Sequence, residues 1–289
     1  MGVIKIIIGV IGLLSMLLFG LLYFYQEKLM FFPQKLEQSY QYYFGQDFKE
    51  LMINTSDDKL INALLFEADN SKGVIFYLHG NAGSLESWGT VARLYTDMNY
   101  DVFILDYRGF GKSEGKITGE KQLFNDNQIA YNKLKETYKE QDIIVLGYSI
   151  GTAMAAKLAS ENNPKLLIMQ APFYSFAEML SKQFRFPTFI LKYKLRTNKF
   201  LKQCKCPAII FHGDSDEIVD YKWSVKLKEE FRDKIQLITL HGEGHNEITS
   251  NEVYQSEMER ILRQSFAESN CIQPLSYKKQ FAIFEFNAL

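Results

Sequence analysis

The sequence predicts a protein of the α/β class: a three-layer α/β/α sandwich with a mostly parallel sheet of about eight strands, tethered by one N-terminal apolar helix. Two observations carry this prediction. From about residue 49 onward, short β-rich apolar runs alternate with helix-length amphipathic segments. Before them lies a stretch of twenty residues, 6–25, without a single charge. Strands that alternate with helices form parallel βαβ units, because parallel neighbours need a long crossover connection.

The uncharged stretch has the length of a membrane-spanning helix. At about 1.5 Å per residue it covers roughly 30 Å, the thickness of bilayer hydrocarbon. Tyr23, Phe24 and Tyr25 stand at its end, where interfacial aromatic residues are common. A cleaved signal peptide is the alternative, but its apolar part is shorter and small residues follow it. We therefore expect residues 1–30 to form an uncleaved single-pass membrane anchor, whose sidedness the flanking lysines do not decide.

Eight apolar runs predict the strands of the sheet. They lie at residues 51–53, 60–66, 74–78, 102–105, 143–146, 166–169, 208–211 and 235–240. Helical segments are predicted between and after them, at 123–138, 150–159, 223–231 and 252–266. No repeat or low-complexity linker divides this region. We expect residues 31–267 to form one domain, followed by a tail, residues 268–289, to which the sequence assigns no role.

The composition excludes several classes of protein. Lysine and arginine number 33 and aspartate and glutamate 34, so the net charge of -1 lacks the basic excess of nucleic-acid-binding proteins. Three cysteines are too few for a disulfide framework. With 47% apolar residues the chain can bury a full hydrophobic core, which excludes intrinsic disorder across its length.

A Gly-x-Ser-x-Gly motif lies where the predicted fold would place a catalytic nucleophile. Gly147, Ser149 and Gly151 follow the fifth predicted strand and open an alanine-rich helix. Such a turn is too tight for side chains two residues before and two residues after the serine, so both of these flanking positions are glycine. The turn lifts the Ser149 hydroxyl to the N-terminus of the helix, where the helix dipole favours negative charge. Ser149 is therefore the predicted nucleophile.

A serine nucleophile needs a base, and an acid must orient that base. In hydrolases with this motif, the acid and then the histidine follow the serine along the chain. His245 lies just beyond the last predicted strand, in a glycine-rich loop, and is the predicted base. Asp216 follows the preceding strand and is the predicted acid, but Asp214 and Glu217 are close competitors that the residues alone do not exclude.

The oxyanion of a tetrahedral intermediate needs hydrogen-bond donors. The backbone N–H of Ile150, directly after the nucleophile, is one predicted donor. The loop after the third predicted strand is the expected source of the other, which we assign to the backbone of Asn81. We then expect His79 and His212 to be structural histidines at strand ends, and His241 to lie at the surface or near the site.

These motifs resemble those of the α/β-hydrolase superfamily, over residues 31–266. Within it, the chain resembles the membrane-anchored serine hydrolases of the Bem46 type, which are related to the vertebrate anchored α/β-hydrolase domain proteins. The matching pieces are residues 79–83, residues 106–115, the Ser149 elbow, the His212-Gly213-x-x-Asp216 pattern and Gly244-His245-Asn246. The resemblance implies the α/β-hydrolase fold and a triad of Ser149, Asp216 and His245. It selects Asp216 as the acid, because the family's acid is the third residue after the His-Gly pair.

Two further segments carry expectations. The glycines of residues 106–115 predict a tight loop, which we expect Asp106 and Arg108 to hold by pairing. Residues 173–205 lie where this fold inserts a lid, and this segment carries eight basic residues between 182 and 205 with aromatic residues among them. We expect this basic lid to contact an anionic membrane and admit a lipid-like acyl substrate. A solvated helical cap is the alternative.

The predicted function is hydrolysis of a carboxylic ester or thioester through an acyl-enzyme on Ser149, with no metal or organic cofactor. The predicted partners are an acyl ester or thioester substrate and a membrane, and no nucleic acid; the oligomeric state is not predicted. Two alternatives stay open. A serine peptidase or amidase of related fold would use the same triad, and a non-enzymatic membrane scaffold would keep the fold without the chemistry.

Overall fold

In a computed structural model that describes residues 2–184 and 187–270, eight strands form one mixed sheet. The strands are β1 (Lys49–Asn54), β2 (Leu60–Phe66), β3 (Val74–Leu78), β4 (Asp101–Leu105), β5 (Ile143–Tyr148), β6 (Leu166–Gln170), β7 (Ala208–Gly213) and β8 (Ile235–Leu240). Their order across the sheet is β8-β7-β6-β5-β3-β4-β2-β1. Neighbours from β8 to β4 pair in parallel, whereas the β4–β2 and β2–β1 pairs are antiparallel. The eight predicted strands are all confirmed.

Helices lie on both faces of this sheet, and the first helix of the chain stands apart from it. They are α1 (Gly2–Phe24), α2 (Gln26–Met30), α3 (Leu85–Trp88), α4 (Ala92–Thr96), α5 (Glu120–Leu134), α6 (Gly151–Glu161), α7 (Phe176–Phe184), α8 (Thr197–Gln203), α9 (Lys222–Glu230) and α10 (Glu252–Asn270). The four predicted helices correspond to α5, α6, α9 and α10. The sequence does not predict α3, α4 and α8, because segments of four to seven residues show too little helical periodicity. Helix α7 has nine residues, like the predicted α9, and lies in the segment that is predicted only as a lid.

Each central strand divides its side chains between two hydrophobic cores. On β3, Val74, Phe76 and Leu78 belong to one core, and Ile75 and Tyr77 belong to the other. Helices α5, α6 and α9 contribute to the first core, while α4 and α10 contribute to the second. All five side chains of β3 are buried, as expected for a parallel strand that is covered on both faces. The predicted three-layer sandwich is therefore confirmed.

Helix α1 stands apart from both cores. Within the described part of the chain, it is the one helix long and apolar enough to cross a membrane. None of its most apolar stretch is buried against the rest of the protein. Its length and composition are those of a membrane span, and a signal sequence near an N-terminus has the same properties.

The predicted lid, residues 173–205, lies in the connection between β6 and β7. It contains α7, α8 and a short 3-10 turn, Thr188–Ile190. Two of its residues, Arg185 and Phe186, lie outside the described part of the chain, and so do residues 271–289 of the predicted tail.

Candidate active site

Ser149 occupies the tight turn between β5 and α6, at the carboxyl edge of the sheet. Its φ of 52° lies in the left-handed region, which costs a non-glycine residue roughly 1–2 kcal/mol. A Cβ at Gly147 would lie 2.4 Å from the carbonyl oxygen of Gly151. A Cβ at Gly151 would lie 2.0 Å from the carbonyl oxygen of Leu78. Both glycines are therefore a steric requirement of the turn that holds the serine.

His245 reaches Ser149 from the loop after β8. Its Nε2 lies 3.0 Å from the hydroxyl oxygen of Ser149, and its Nδ1 lies 2.6 Å from Oδ2 of Asp216. Because an ionised carboxylate only accepts hydrogen bonds, Nδ1 carries the proton and Nε2 is the nitrogen that accepts from the serine. A short hydrogen bond from the hydroxyl of Tyr148 to the carbonyl oxygen of His245 holds the histidine loop. The structure thus brings the three predicted residues together in one hydrogen-bonded chain.

Four N–H groups surround the carboxylate of Asp216. Its Oδ1 accepts from the amides of Ile218 at 2.8 Å and Val219 at 2.7 Å. Its Oδ2 accepts from His245 and, at 3.1 Å, from Nε2 of His212. Burial raises the pKa of Asp216, but hydrogen bonds from the two histidines outweigh burial and hold this pKa well below its ordinary value. Asp216 therefore places a fixed negative charge beside the imidazole of His245.

His212 contributes to the site in a way that the sequence does not predict. Its Nε2 lies 2.8 Å from the carbonyl oxygen of Val219, so this nitrogen carries the proton that also reaches Asp216. Its Nδ1 then accepts from the hydroxyl of Ser224 at 2.6 Å. The ring is fully buried and holds the acid in place. The His212-Gly213-x-x-Asp216 spacing is the signal that could have indicated this contact.

The competing acids do not take the place of Asp216. Asp214 accepts from the exposed His241 at 2.8 Å and from the amide of Gly242 at 2.7 Å. Glu217 is exposed to solvent. Of the three candidates, Asp216 is the one whose carboxylate contacts His245.

The two amides assigned to the oxyanion hole have no hydrogen-bond acceptor among the described protein groups. Among the hydrogen bonds of the described residues, neither the N–H of Ile150 nor that of Asn81 donates to a protein group. The start of α6 lies against the end of β3, as the close approach of Gly151 to Leu78 shows. Ile150 directly precedes α6, and the Asn81 loop follows β3, so the two amides lie on adjoining segments at the edge of the sheet that carries Ser149.

A buried cluster supports the Asn81 loop. His79 donates through Nδ1 to the carbonyl oxygen of the next residue at 2.7 Å, and its own carbonyl oxygen accepts from Tyr107 at 2.8 Å. Its Nε2 lies 3.5 Å from Oδ1 of Asp106. Burial raises the pKa of Asp106 above its ordinary value, against the lowering effect of His79. The cluster gives His79 the structural role predicted for it.

The predicted pairing of Asp106 with Arg108 is wrong. Asp106 instead accepts from the amide of Leu85 at 3.0 Å, at the start of α3. Arg108 pairs with Asp126 at 2.6 Å and also with Asp57. The physical reason is that α5 supplies Arg108 with a buried carboxylate, while Asp106 satisfies main-chain and histidine donors at the carboxyl edge of the sheet.

An open depression of about 460 Å³ adjoins the histidine of the site. Its walls are His245 itself and its loop, residues 242–247, with Ser215, Glu217 and Ile218 on the facing loop. Ser149, Ile150 and Asn81 do not line this depression, which lies on the side of the histidine loop. In the residues that the structure describes, no group of three or more His, Cys, Asp or Glu side chains is placed to hold a metal ion.

Known proteins resemble this chain in sequence. A family model described as "Serine aminopeptidase, S33" matches residues 69–197. The protein bem46 of Schizosaccharomyces pombe is 30% identical over 223 residues, which cover 71% of this chain and 74% of the yeast protein. The human alpha/beta hydrolase domain-containing protein 17B is 29% identical over 217 residues, which cover 73% of this chain and 72% of the human protein.

Solved structures share its fold. The Pyrococcus furiosus esterase Pf2001 has a TM-score of 0.66 at 19% identity and covers 81% of this chain and 99% of its own. Est1E of Butyrivibrio proteoclasticus has a TM-score of 0.61 at 19% identity and covers 75% of this chain and 99% of its own. The strand order, the serine elbow and the similarity to bem46 together establish that the chain belongs to the Bem46-like family of α/β-hydrolases.

Proposed function

We propose that this protein is a serine hydrolase that cleaves carboxylic esters or thioesters through an acyl-enzyme on Ser149. One observation carries the proposal: the hydrogen-bonded chain from Ser149 through His245 to Asp216, with distances of 3.0 and 2.6 Å. Its serine stands on a strained turn, and strain of this kind concentrates at functional sites. The esterase name of the Pyrococcus furiosus structure agrees with an ester substrate.

In this mechanism Ser149 attacks the acyl carbon while Nε2 of His245 takes the hydroxyl proton. Asp216 accepts from Nδ1 and stabilises the imidazolium. The amides of Ile150 and Asn81 donate to the oxyanion, and each such donor contributes about 2.7–4 kcal/mol of transition-state stabilisation. His245 then gives its proton to the leaving alcohol or thiol. Water, deprotonated by His245, attacks the acyl-enzyme and releases the carboxylic acid and the serine.

Hydrolysis assays on the full chain test the role of the serine. With p-nitrophenyl butyrate and a butyryl thioester as probes, we expect Ser149→Ala to lower kcat by at least about 10³-fold. Ser215→Ala is the matched control, because this exposed serine lies near His245 but outside the hydrogen-bonded chain. Equal activity of Ser149→Ala and Ser215→Ala would contradict the proposal.

The proposal places the protein at a membrane, anchored by α1. Among the basic residues of the lid, Lys182 is exposed on α7, which follows the carboxyl end of β6, although it pairs with Glu178. Lys202 and Lys205 are also exposed, but they precede the amino end of β7 and lie at the edge of the sheet opposite Ser149. Near an anionic bilayer each exposed basic residue contributes about 1 kcal/mol. Such a lid would bring the site to lipid-like acyl substrates.

Reconstitution of the full chain in vesicles tests the role of the lid. We expect faster hydrolysis of a long-chain ester in anionic than in neutral vesicles, and we expect Lys182→Glu to reduce this preference. The control is p-nitrophenyl butyrate, a soluble ester whose rate should not depend on the lipid. An unchanged preference in the variant would contradict the role of the lid.

A peptidase or amidase is the second candidate, because the matching family model is described as a serine aminopeptidase. The same three residues cleave amides if His245 protonates the departing amine. Matched ester and anilide substrates with the same acyl group separate the two activities. A higher kcat/KM on the anilide would favour the amidase, and a lower one would favour the esterase.

A further inference from the structure

A short segment, residues 30–34, runs along the loop that carries Asn81. We call this segment the strap; it begins at the last residue of α2. The N–H of Phe32 donates to the carbonyl oxygen of Asn81 at 2.8 Å, and the N–H of Gln34 donates to that of Gly83 at 2.8 Å. These bonds form a short parallel ladder. The chain that follows the apolar helix is thus hydrogen-bonded to the loop beside the nucleophile.

The side chain of Asn81 donates a hydrogen bond to the strap, whereas its main-chain carbonyl oxygen accepts one from the strap. Its Nδ2 donates to the carbonyl oxygen of Met30 at 3.0 Å. That carbonyl ends a helix and needs such a donor. The strap therefore holds both the carbonyl group and the side chain of Asn81, while the N–H of Asn81 has no protein acceptor in the described chain.

The strap is itself fixed to the body of the domain. Phe31 is only 5% exposed, and its ring packs edge-on against Phe110 at 6.4 Å and Tyr193 at 5.7 Å between centroids. On the other side, the carbonyl oxygen of Gln34 accepts from the amide of Gly111 at 2.8 Å. Because close-packed interiors resist displacement, a strap held at these points restricts the loop.

We propose that the strap positions the oxyanion hole, and that Phe32 and the side chain of Asn81 are positioning residues for the reaction. This inference rests on the proposed function. A donor stabilises an oxyanion only when it lies about 2.7–3.1 Å from it, and a misplacement of about 1 Å can cost about a hundredfold in rate. A loosened loop therefore lowers kcat and leaves KM nearly unchanged, because the oxyanion forms only in the transition state.

Two variants of the full chain loosen the loop and keep the Asn81 amide. Asn81→Ala deletes the side-chain hydrogen bond to the strap. Phe32→Pro deletes the N–H that the strap donates, and Phe31, with φ -121° and ψ 128°, already has the extended backbone that a residue before proline requires. Asn162→Ala is the matched control, because it removes a side-chain amide bond of 3.0 Å to the carbonyl oxygen of Leu158, at the end of α6 that is far from Ser149.

The measurements are kcat and KM for p-nitrophenyl butyrate and for its thionoester, in which sulfur replaces the carbonyl oxygen. Sulfur is a weak hydrogen-bond acceptor, so the ratio of kcat for the ester to kcat for the thionoester reports on the oxyanion hole itself. We expect both variants to lower kcat about tenfold or more, to change KM less than about twofold, and to lower this ratio. Asn162→Ala should change none of the three.

Labelling of the same samples by a fluorophosphonate separates this inference from the proposed function. If the wild type labels at Ser149 while both folded variants keep its kcat and its rate ratio, the positioning role is wrong and the proposed function stands. A kcat loss with an unchanged rate ratio also overturns the positioning role. If the folded wild type does not label, the proposed function is wrong, and the inference fails with it.

Discussion

Replacing Gly151 by alanine should push apart the two segments that carry the proposed donors of the oxyanion hole. The added Cβ would lie 2.0 Å from the carbonyl oxygen of Leu78 and 2.8 Å from that of His79. Real Cβ atoms essentially never approach another heavy atom within 3.0 Å. Both neighbours are main-chain atoms that cannot rotate away, so the start of α6 must move from the end of β3 by at least about 1 Å.

This displacement acts on catalysis because the two donors lie on opposite sides of the contact. Ile150 directly precedes α6, and the loop that carries Asn81 follows β3. A misplacement of about 1 Å can cost about a hundredfold in rate, and overpacking of this kind costs about 1–3 kcal/mol of stability. We therefore expect Gly151→Ala to lower kcat on p-nitrophenyl butyrate about a hundredfold and to lower the free energy of unfolding by about 1–3 kcal/mol.

Initial rates and denaturant unfolding of the purified full chain in detergent measure the two effects. Gly119→Ala is the control, because a Cβ there meets no heavy atom within 4 Å and its φ of 178° suits alanine. We expect the control to keep kcat within about twofold of the wild type. A folded Gly151→Ala protein with wild-type kcat would refute the reasoning that this glycine sets the geometry of the hole.

Three other substitutions test the acid, a buried ion pair and the strained turn. Asp216→Asn should lower kcat about 10³–10⁴-fold. Burial raises the pKa of Asp216, but hydrogen bonds outweigh burial and hold this pKa below its ordinary value of 3.8. The ionised carboxylate therefore stabilises the folded protein fully above about pH 4, and this stabilisation is lost as the pH falls. In urea unfolding between about pH 3 and 7, the free energy of unfolding should fall less toward acid pH in Asp216→Asn than in the wild type. Arg108→Ala leaves Asp126 buried without its partner and should lower the free energy of unfolding by about 3–5 kcal/mol, while fluorophosphonate still labels the folded fraction. Ser149→Gly should be more stable than Ser149→Ala in urea, because glycine adopts a φ of 52° without the roughly 1–2 kcal/mol cost; the reverse order would contradict the strain.

Most of the sheet could be predicted because its strands from β2 to β7 are buried on both faces, whereas the edge strand β1 is mostly exposed. Each of the eight strands coincides with a short apolar run, and on β3 all five side chains are buried. The short helices α3, α4 and α8 carry too few residues for a periodic pattern, so their positions depend on tertiary contacts that the sequence does not display. Helix α7 is as long as the predicted α9, and Phe176, Met179 and Leu180 recur at helical spacing, so the sequence carries a signal for it that the prediction misses.

The site could be predicted where chemistry requires particular residue types. Ser149 and His245 lie 96 residues apart, yet the serine motif and the order of the triad indicate both. The strap could not be predicted, because the N–H of Phe32 and the carbonyl of Asn81 are main-chain groups that every sequence carries. The error at Arg108 has a related cause, since its buried partner comes from α5 rather than from the neighbouring loop.

Labelling with a fluorescent fluorophosphonate is the most direct test of the central claim, that Ser149 is a base-activated nucleophile. The probe forms a covalent bond to a serine oxygen only where a base has activated the hydroxyl. Membranes that contain the full chain should label in the wild type and in Ser215→Ala, and should not label in Ser149→Ala. Absence of labelling in a folded wild type, or equal labelling of Ser149→Ala, would contradict the account.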